Sequence, residues 1–224
     1  MSCDLGCVTW PATPPLGNGS AQLSTGNGTS GGDEDPRTTF HDGILLSWIT
    51  SLSFSTYDTL NNGQQLPYLV LDINPNGGAT EDGTYRTFFE PPYQTPSTGN
   101  GLLPNQGATA MNTWQTWNAL TGVWGDNSGI GNPGTGVEPF STFITAHPNA
   151  AIAATSGGLG GLEFRVGQAG ATDRSNGYVD NVTIGVNGQS TTYDFEPVPE
   201  PATLGLFGLG LLGPRAVRRR RPAG

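Results

Sequence analysis

The 224-residue chain contains 35 glycines and 18 prolines, about a quarter of its length and roughly double the ordinary share, so turns and loops are abundant and one sizeable domain plus tails fits the length. Lysine is absent: residues 1 to 200 hold four arginines against all 18 acids, a formal −14, whereas residues 201 to 224 hold five arginines and no acid. Four scattered arginines in an acidic body exclude a phosphate-binding surface, and with it a nucleic-acid partner.

In chain order, Cys3 and Cys7 come first. Both lie outside every patterned segment, so no disulfide framework holds the domain, and a local bridge, a lone ligand pair or two idle thiols are the readings left. Two cysteines without nearby histidine do not make a four-ligand zinc site. Residues 1 to 36 show no period of 2 or 3.6 and few apolar side chains, which predicts a disordered leader that buries too little surface to offset its ordering entropy. No basic region followed by an apolar run is visible in residues 1 to 30, so no secretory signal peptide is read there.

From residue 37 to 197 the dominant signal is period-2 alternation. Ile44, Leu46, Trp48, Leu52 and Phe54 share one parity, with Ser47, Ser51, Ser53 and Ser55 on the other. Leu66 to Asn74 is apolar on both parities, as a strand covered on both faces should be. Arg86–Glu90, Leu162–Val166, Tyr178–Val186 and Tyr193–Glu196 add further strands. Asn187-Gly188 between alternating runs predicts a tight hairpin, because both residues tolerate positive φ. Phe140, Phe143 and Ile144 stand at helical spacing and predict one short helix between Pro139 and His147. Seven to nine strands with one helix describe an all-β fold, an antiparallel β-sandwich.

Catalytic patterns are missing from this body. There is no G-x-S-x-G and no H-E-x-x-H, His41 and His147 read as surface histidines, and Glu90, Asp126, Glu138 and Asp180 are not set apart from the other acids as a glycosidase pair. The expectation is therefore no enzyme and no catalytic residues. Asp72-Ile73-Asn74-Pro75-Asn76-Gly77 opens like a calcium loop, with Glu81 and Asp82 one or two places short of the bidentate twelfth position. Two readings stay open: a weak calcium site at Asp72, Asn74, Asn76, Glu81 and Asp82, or a Pro-Asn-Gly-Gly hairpin. Trp114 and Trp117 have opposite parity on a strand, so at least one leaves the core face and could stack on a sugar ring.

The last segment changes character again. Val198-Pro199-Glu200-Pro201 is followed by an uncharged stretch, Ala202 to Gly213, with Leu204, Leu206, Phe207, Leu209, Leu211 and Leu212. Pro214 then precedes Arg215, Arg218, Arg219, Arg220 and Arg221. Twelve residues make a helix of about 18 Å, short of a hydrocarbon core of roughly 30 Å, so insertion is marginal. The basic cluster suits a stop-transfer element on the cytoplasmic side.

This order of parts resembles the bacterial PEP-CTERM sorting segment, a tail that some classifications call the ice-binding protein C-terminal domain. No Thr-x-Thr ladder in the body supports ice binding. The resemblance implies recognition of Pro199, Glu200 and Pro201 by an exosortase-type membrane protease or transpeptidase, transient anchoring in the inner membrane, and export to the surface or extracellular matrix of a Gram-negative cell. Leu52–Thr56, Leu71–Asn74, Phe88–Pro91, Trp114–Trp117 and Gly177–Gly185 resemble a β-sandwich ectodomain found before such tails, with a jelly-roll look shared by carbohydrate-binding modules. The expected organisation is a leader (1–36), an ectodomain (37–197) and a sorting and anchor segment (198–224). The expected role is structural or adhesive, with extracellular polysaccharide as the alternative partner and a glycoside hydrolase as the third class.

Overall fold

The computed structural model describes residues 7–8, 13–25, 36–61, 66–80, 85–96, 104–126, 137–167 and 175–196. Along them run β1 (Cys7–Val8), β2 (Ser20–Ser24), β3 (Arg37–Thr38), β4 (Ile49–Leu60), β5 (Tyr68–Asn74), β6 (Arg86–Phe89), β7 (Gln115–Asn118), β8 (Val123–Asp126), β9 (Glu138–Pro139), α1 (Phe140–Ala146), β10 (Ala151–Ile152), β11 (Leu162–Arg165), β12 (Asn176–Val186) and β13 (Gln189–Tyr193). One sheet has the order β1-β2-β12-β4-β7, with β13 also on β12; the other runs β3-β11-β5-β6-β8-β9, with β10 also on β5. All these strand pairs are antiparallel. Among the described residues the fold is the expected all-β sandwich with one α-helix. The strands are more numerous than expected because several are only two residues long, too short to leave a period in the sequence.

Alternation explains the inner faces. In β4, Leu52 and Phe54 enter the core while Ser51 and Ser53 stay part-exposed, and Val179, Val182 and Ile184 of β12 join them across the ladder. Apolar residues on both parities of β5 mean burial on both sides, with Leu69, Leu71 and Ile73 in the core and Val70 and Asp72 fully buried on the opposite face. Aromatic rings link the two sheets. Phe54 of β4 meets Phe164 and Phe89 of the second sheet at centroid distances of 5.1 and 5.6 Å. Phe89 meets Trp124 at 5.6 Å, and Trp124 meets Phe140 of α1 at 5.0 Å. The helix therefore closes the end of a continuous aromatic chain, with Phe140 and Phe143 as its buried residues.

Two turns show why particular residues were needed. Asn187 and Gly188 have φ of 51° and 81°, the paired positive values of a two-residue hairpin, and Val186 pairs with Gln189 across them. Asn181 has φ of 52° at a register shift between β12 and β4, and this bulge divides the other edge of β12. Residues Asn176–Val179 there pair with β2, and Val182–Val186 pair with β13.

Part of the stretch expected to be a leader is in fact structured. Ser20–Ser24 forms β2, with Leu23 fully buried and Ala21 6% exposed. Two apolar residues suffice because the free edge of β12 supplies the hydrogen bonds that the segment could not satisfy alone. The first alternating run is also shorter than its parity implied, since Leu46–Trp48 is a 3₁₀ turn and Trp48 is 45% exposed. Residues 197–224 lie outside the described residues. No helix among those described is long and apolar enough to cross a membrane.

Phe54 sits at the crossing of both sheets, so Phe54→Ala should cost about 3–5 kcal/mol of unfolding free energy. Substituting the exposed Gln189 by alanine should stay within about 0.5 kcal/mol. Urea titration of both variants checks the contrast.

Candidate functional site

Three places carry the chemistry that sequence reading sought. The first is the outer face of the second sheet. Asp72 of β5 is fully buried and is gripped by Arg37 Nη1 at 2.8 Å and Arg86 Nε at 2.5 Å. Glu163 of β11, equally buried, pairs with Arg37 Nη2 and, at 2.8 Å, with Arg165 Nε. Ladder register accounts for this, because Arg37 lies opposite Glu163 and Asp72 opposite Arg86. Burial pushes the Glu163 carboxyl up to about 7, against the opposing pull of Arg165 and Arg37.

This network corrects the calcium expectation at Asp72. Both carboxylate oxygens of Asp72 are taken by guanidiniums. The Asn74 amide donates to the Thr80 carbonyl, while its oxygen accepts from the Asn76 backbone. Gly77 and Gly78 have φ of 91° and 112°, and β5 and β6 pair on either side of the loop. The Pro-Asn-Gly-Gly segment is the connection of two paired strands. Glu81 and Asp82 fall outside the described residues.

The second place is the outer face of the first sheet. Opposite pairing sets Tyr178 beside Tyr57, at a centroid distance of 6.2 Å, and the ring of Trp114 lies 5.4 Å beyond. Trp114 is half-buried there. Trp117 faces the other way: it pairs with Phe54, is fully buried, and its Nε1 donates to Thr56 Oγ1 at 2.8 Å. A ring with no exposed surface cannot stack on a sugar, so Trp117 leaves the set of sugar contacts and Trp114 alone remains in it, backed by the buried rings of Tyr57 and Tyr178.

The third place centres on Asp180, which the sequence did not set apart from the other acids. Asp180 of β12 is fully buried on the same outer face. Its Oδ2 accepts from the Leu16 backbone at 2.9 Å, and its Oδ1 has no hydrogen-bond partner. Glu196 accepts from the Asn18 backbone, and a Cβ on Gly17, whose φ is 61°, would overlap Glu196 Oε1 and come within 2.8 Å of Asp194 Oδ2. The carboxylates of Asp180, Asp194 and Glu196 thus surround one turn of the N-terminal segment. Burial first, then the charges of Asp194 and Glu196, hold the Asp180 carboxyl above the usual range against backbone donors Leu16 and Asn181. Only distant pairing brings these residues together; no sequence spacing marks them. Among the described residues, no three His, Cys, Asp or Glu side chains stand close enough to hold a metal ion as they are.

Catalytic arrangements fare differently. His41 is 6% exposed, not a surface histidine, and its Nε2 lies 2.9 Å from the Tyr193 hydroxyl. Glu138 belongs to the second sheet and Glu90 directly follows its strand β6, whereas Asp180 belongs to the first sheet. The cleft among Thr87, Trp124, Glu138 and Phe140 has no room for a water molecule.

Residues 197–221 match the PEP-CTERM protein-sorting motif. That span includes Pro199, Glu200 and Pro201, the apolar run and the arginines, and it supports export and membrane-associated sorting by an exosortase-type system. No curated protein and no solved structure matches the chain.

Buried carboxyls make the stability pH-dependent. Burial raises Asp58 from 3.8 to about 6, despite hydrogen bonds from Asn61 and the Leu60 backbone. The folded state therefore holds this proton more tightly than the unfolded chain, so the Asp58 contribution is full below about pH 4 and is lost as pH rises through about 6. Burial lowers His41, which acts in the opposite sense and removes stability as pH falls below 6.5. Asp58→Asn should thus match the parent near pH 4 and melt higher at pH 7.5, by roughly 2–4 °C. Melting curves from pH 4 to 8 check it.

Proposed function

We propose that this chain is an exported cell-surface or extracellular-matrix protein of a Gram-negative bacterium, sorted through its C-terminal segment and serving a non-enzymatic structural or adhesive role. The carrying observation is the sorting motif at residues 197–221, which begins one residue after the described β-sandwich ends at Glu196. In this reading Pro199, Glu200 and Pro201 are the recognition element, and Leu204, Leu206, Phe207, Leu209, Leu211 and Leu212 are the apolar anchor. Arg215 and Arg218 to Arg221 stay on the cytoplasmic side, where positive charge is retained. A folded acidic domain is then released or displayed outside. The arginines committed to Asp72 and Glu163 suit a scaffold role.

Replacing Pro199, Glu200 and Pro201 together by alanine should leave the exported protein, supplied with a signal peptide, in the membrane fraction of an exosortase-bearing host. The unaltered motif should yield processed protein outside the cell. Fractionation with immunoblotting reads the difference, and equal processing of both forms would refute the sorting role.

A second reading is favoured by Trp114, half-buried beside Tyr57 on the outer face of the first sheet. Aromatic rings with polar neighbours can take a sugar ring by stacking, and extracellular polysaccharide is the partner in this reading. On a glycan array, Trp114→Ala should lose at least tenfold in affinity for any polysaccharide bound by the parent, while Trp124→Phe, in the core, should not.

A further inference from the structure

The outer face of the first sheet holds a concentration of negative charge that has no counter-ion among the described residues. Asp180 is fully buried, and the charges that act on it, Asp194 and Glu196, are both negative. The three arginines among the described residues, Arg37, Arg86 and Arg165, all lie on the outer face of the other sheet and are committed to Asp72 and Glu163. A buried carboxylate is ordinarily paired, protonated or bound to a metal. Asp180 Oδ1 is unpartnered, and so is the buried Ser20 Oγ. The register that pairs Ala21 with Val179 carries Ser20 alongside Asp180. Two orphaned oxygens from adjacent strands therefore share the face that Asp194 and Glu196 border.

We propose that Asp180, Asp194 and Glu196 bind a calcium ion, which clamps the Leu16–Asn18 turn and the end of the chain after β13 onto β12. The fixed ligand is Asp180, held by its backbone partner Leu16. Asp194 and Glu196 are exposed, and rotation of their side chains brings their carboxylates to the same ion. Calcium suits such a site better than magnesium, because it accepts six to eight oxygens in irregular geometry, water included, while magnesium demands a near-octahedral set. Glycine at 17 fits the same picture, since any side chain there would occupy the space between the two exposed carboxylates. With three carboxylates and an open side, the affinity falls at the weak, extracellular end, roughly 10⁻⁴ to 10⁻³ M.

The test uses the full chain, stripped with a chelator, and follows its melting temperature and terbium luminescence sensitised by the aromatic face. Calcium from about 0.1 to 10 mM should raise the melting temperature progressively by mass action, and magnesium should do so far less. Asp194→Asn combined with Glu196→Gln changes only exposed side chains, and should raise the half-saturating calcium concentration at least tenfold without lowering the metal-free melting temperature. Asp180→Asn should match or exceed the parent without calcium and fall below it in 10 mM calcium. Absence of a calcium-dependent rise, an equal rise with magnesium, or a rise unchanged in the double variant would overturn the proposal.

Discussion

A carboxylate held between two guanidiniums organises the second sheet. Asp72 on β5 reaches Arg37 on β3 and Arg86 on β6, and Arg37 continues to Glu163 on β11, so one charged chain crosses four strands. A buried network of this kind adds little net stability over apolar packing, but removing or misplacing one member leaves an unpaired charge. Its force lies in what it forbids. Slipping β5 by one residue would carry Asp72 to the face now filled by Leu71 and Ile73 and strand both arginines. The guanidinium, a planar fork, can serve two carboxylates at once, which an ammonium does less well; the absence of lysine from the chain is consistent with this use.

Spending the arginines on one sheet has a cost on the other. The second sheet carries compensated charge on its outer face, and the first carries Asp180, Asp194 and Glu196 beside the Tyr178–Tyr57–Trp114 row. The resolved carboxyl shifts of Asp42, Asp58, Glu90, Glu163, Asp180 and Asp194 are all upward, each led by burial. Acidification therefore protonates these carboxyls in favour of the folded state, an effect that His41 opposes. The two outer faces thus differ in kind: guanidiniums answer the carboxylates of one, and among the described residues none answers those of the other.

Much of the fold was legible because it is written in local alternation. The double-sided burial of β5, the Asn187-Gly188 hairpin and the short helix at Phe140–Ala146 each follow from a handful of neighbouring residues. What escaped depends on partners far along the chain. β2 has only Ala21 and Leu23 to mark it, and it exists because β12 has an edge to share. Parity separated Trp114 from Trp117 correctly but could not tell which one faces inward; Phe54, opposite Trp117, decides that. The calcium reading at Asp72 failed because a spacing rule counts oxygens and does not see guanidiniums contributed by residues 35 positions before and 14 after.

The shared edge of β12 also sets how the domain carries a load. In a chain tethered at its C-terminus, tension enters through Glu196 and reaches Phe195, which is seated in the core. Beyond it, β13 is joined to β12 from Val182↔Tyr193 back to Val186↔Gln189, so pulling opens the ladder one pair at a time from its free end, in the manner of a zip. β2, on the other half of the same edge, meets that path through the hydrogen bond from the Asn18 backbone to Glu196, and its ladder to Asn176–Val179 is separate. The hairpin is thus a yielding element at the tether, and the rest of the sandwich is spared until it has given way.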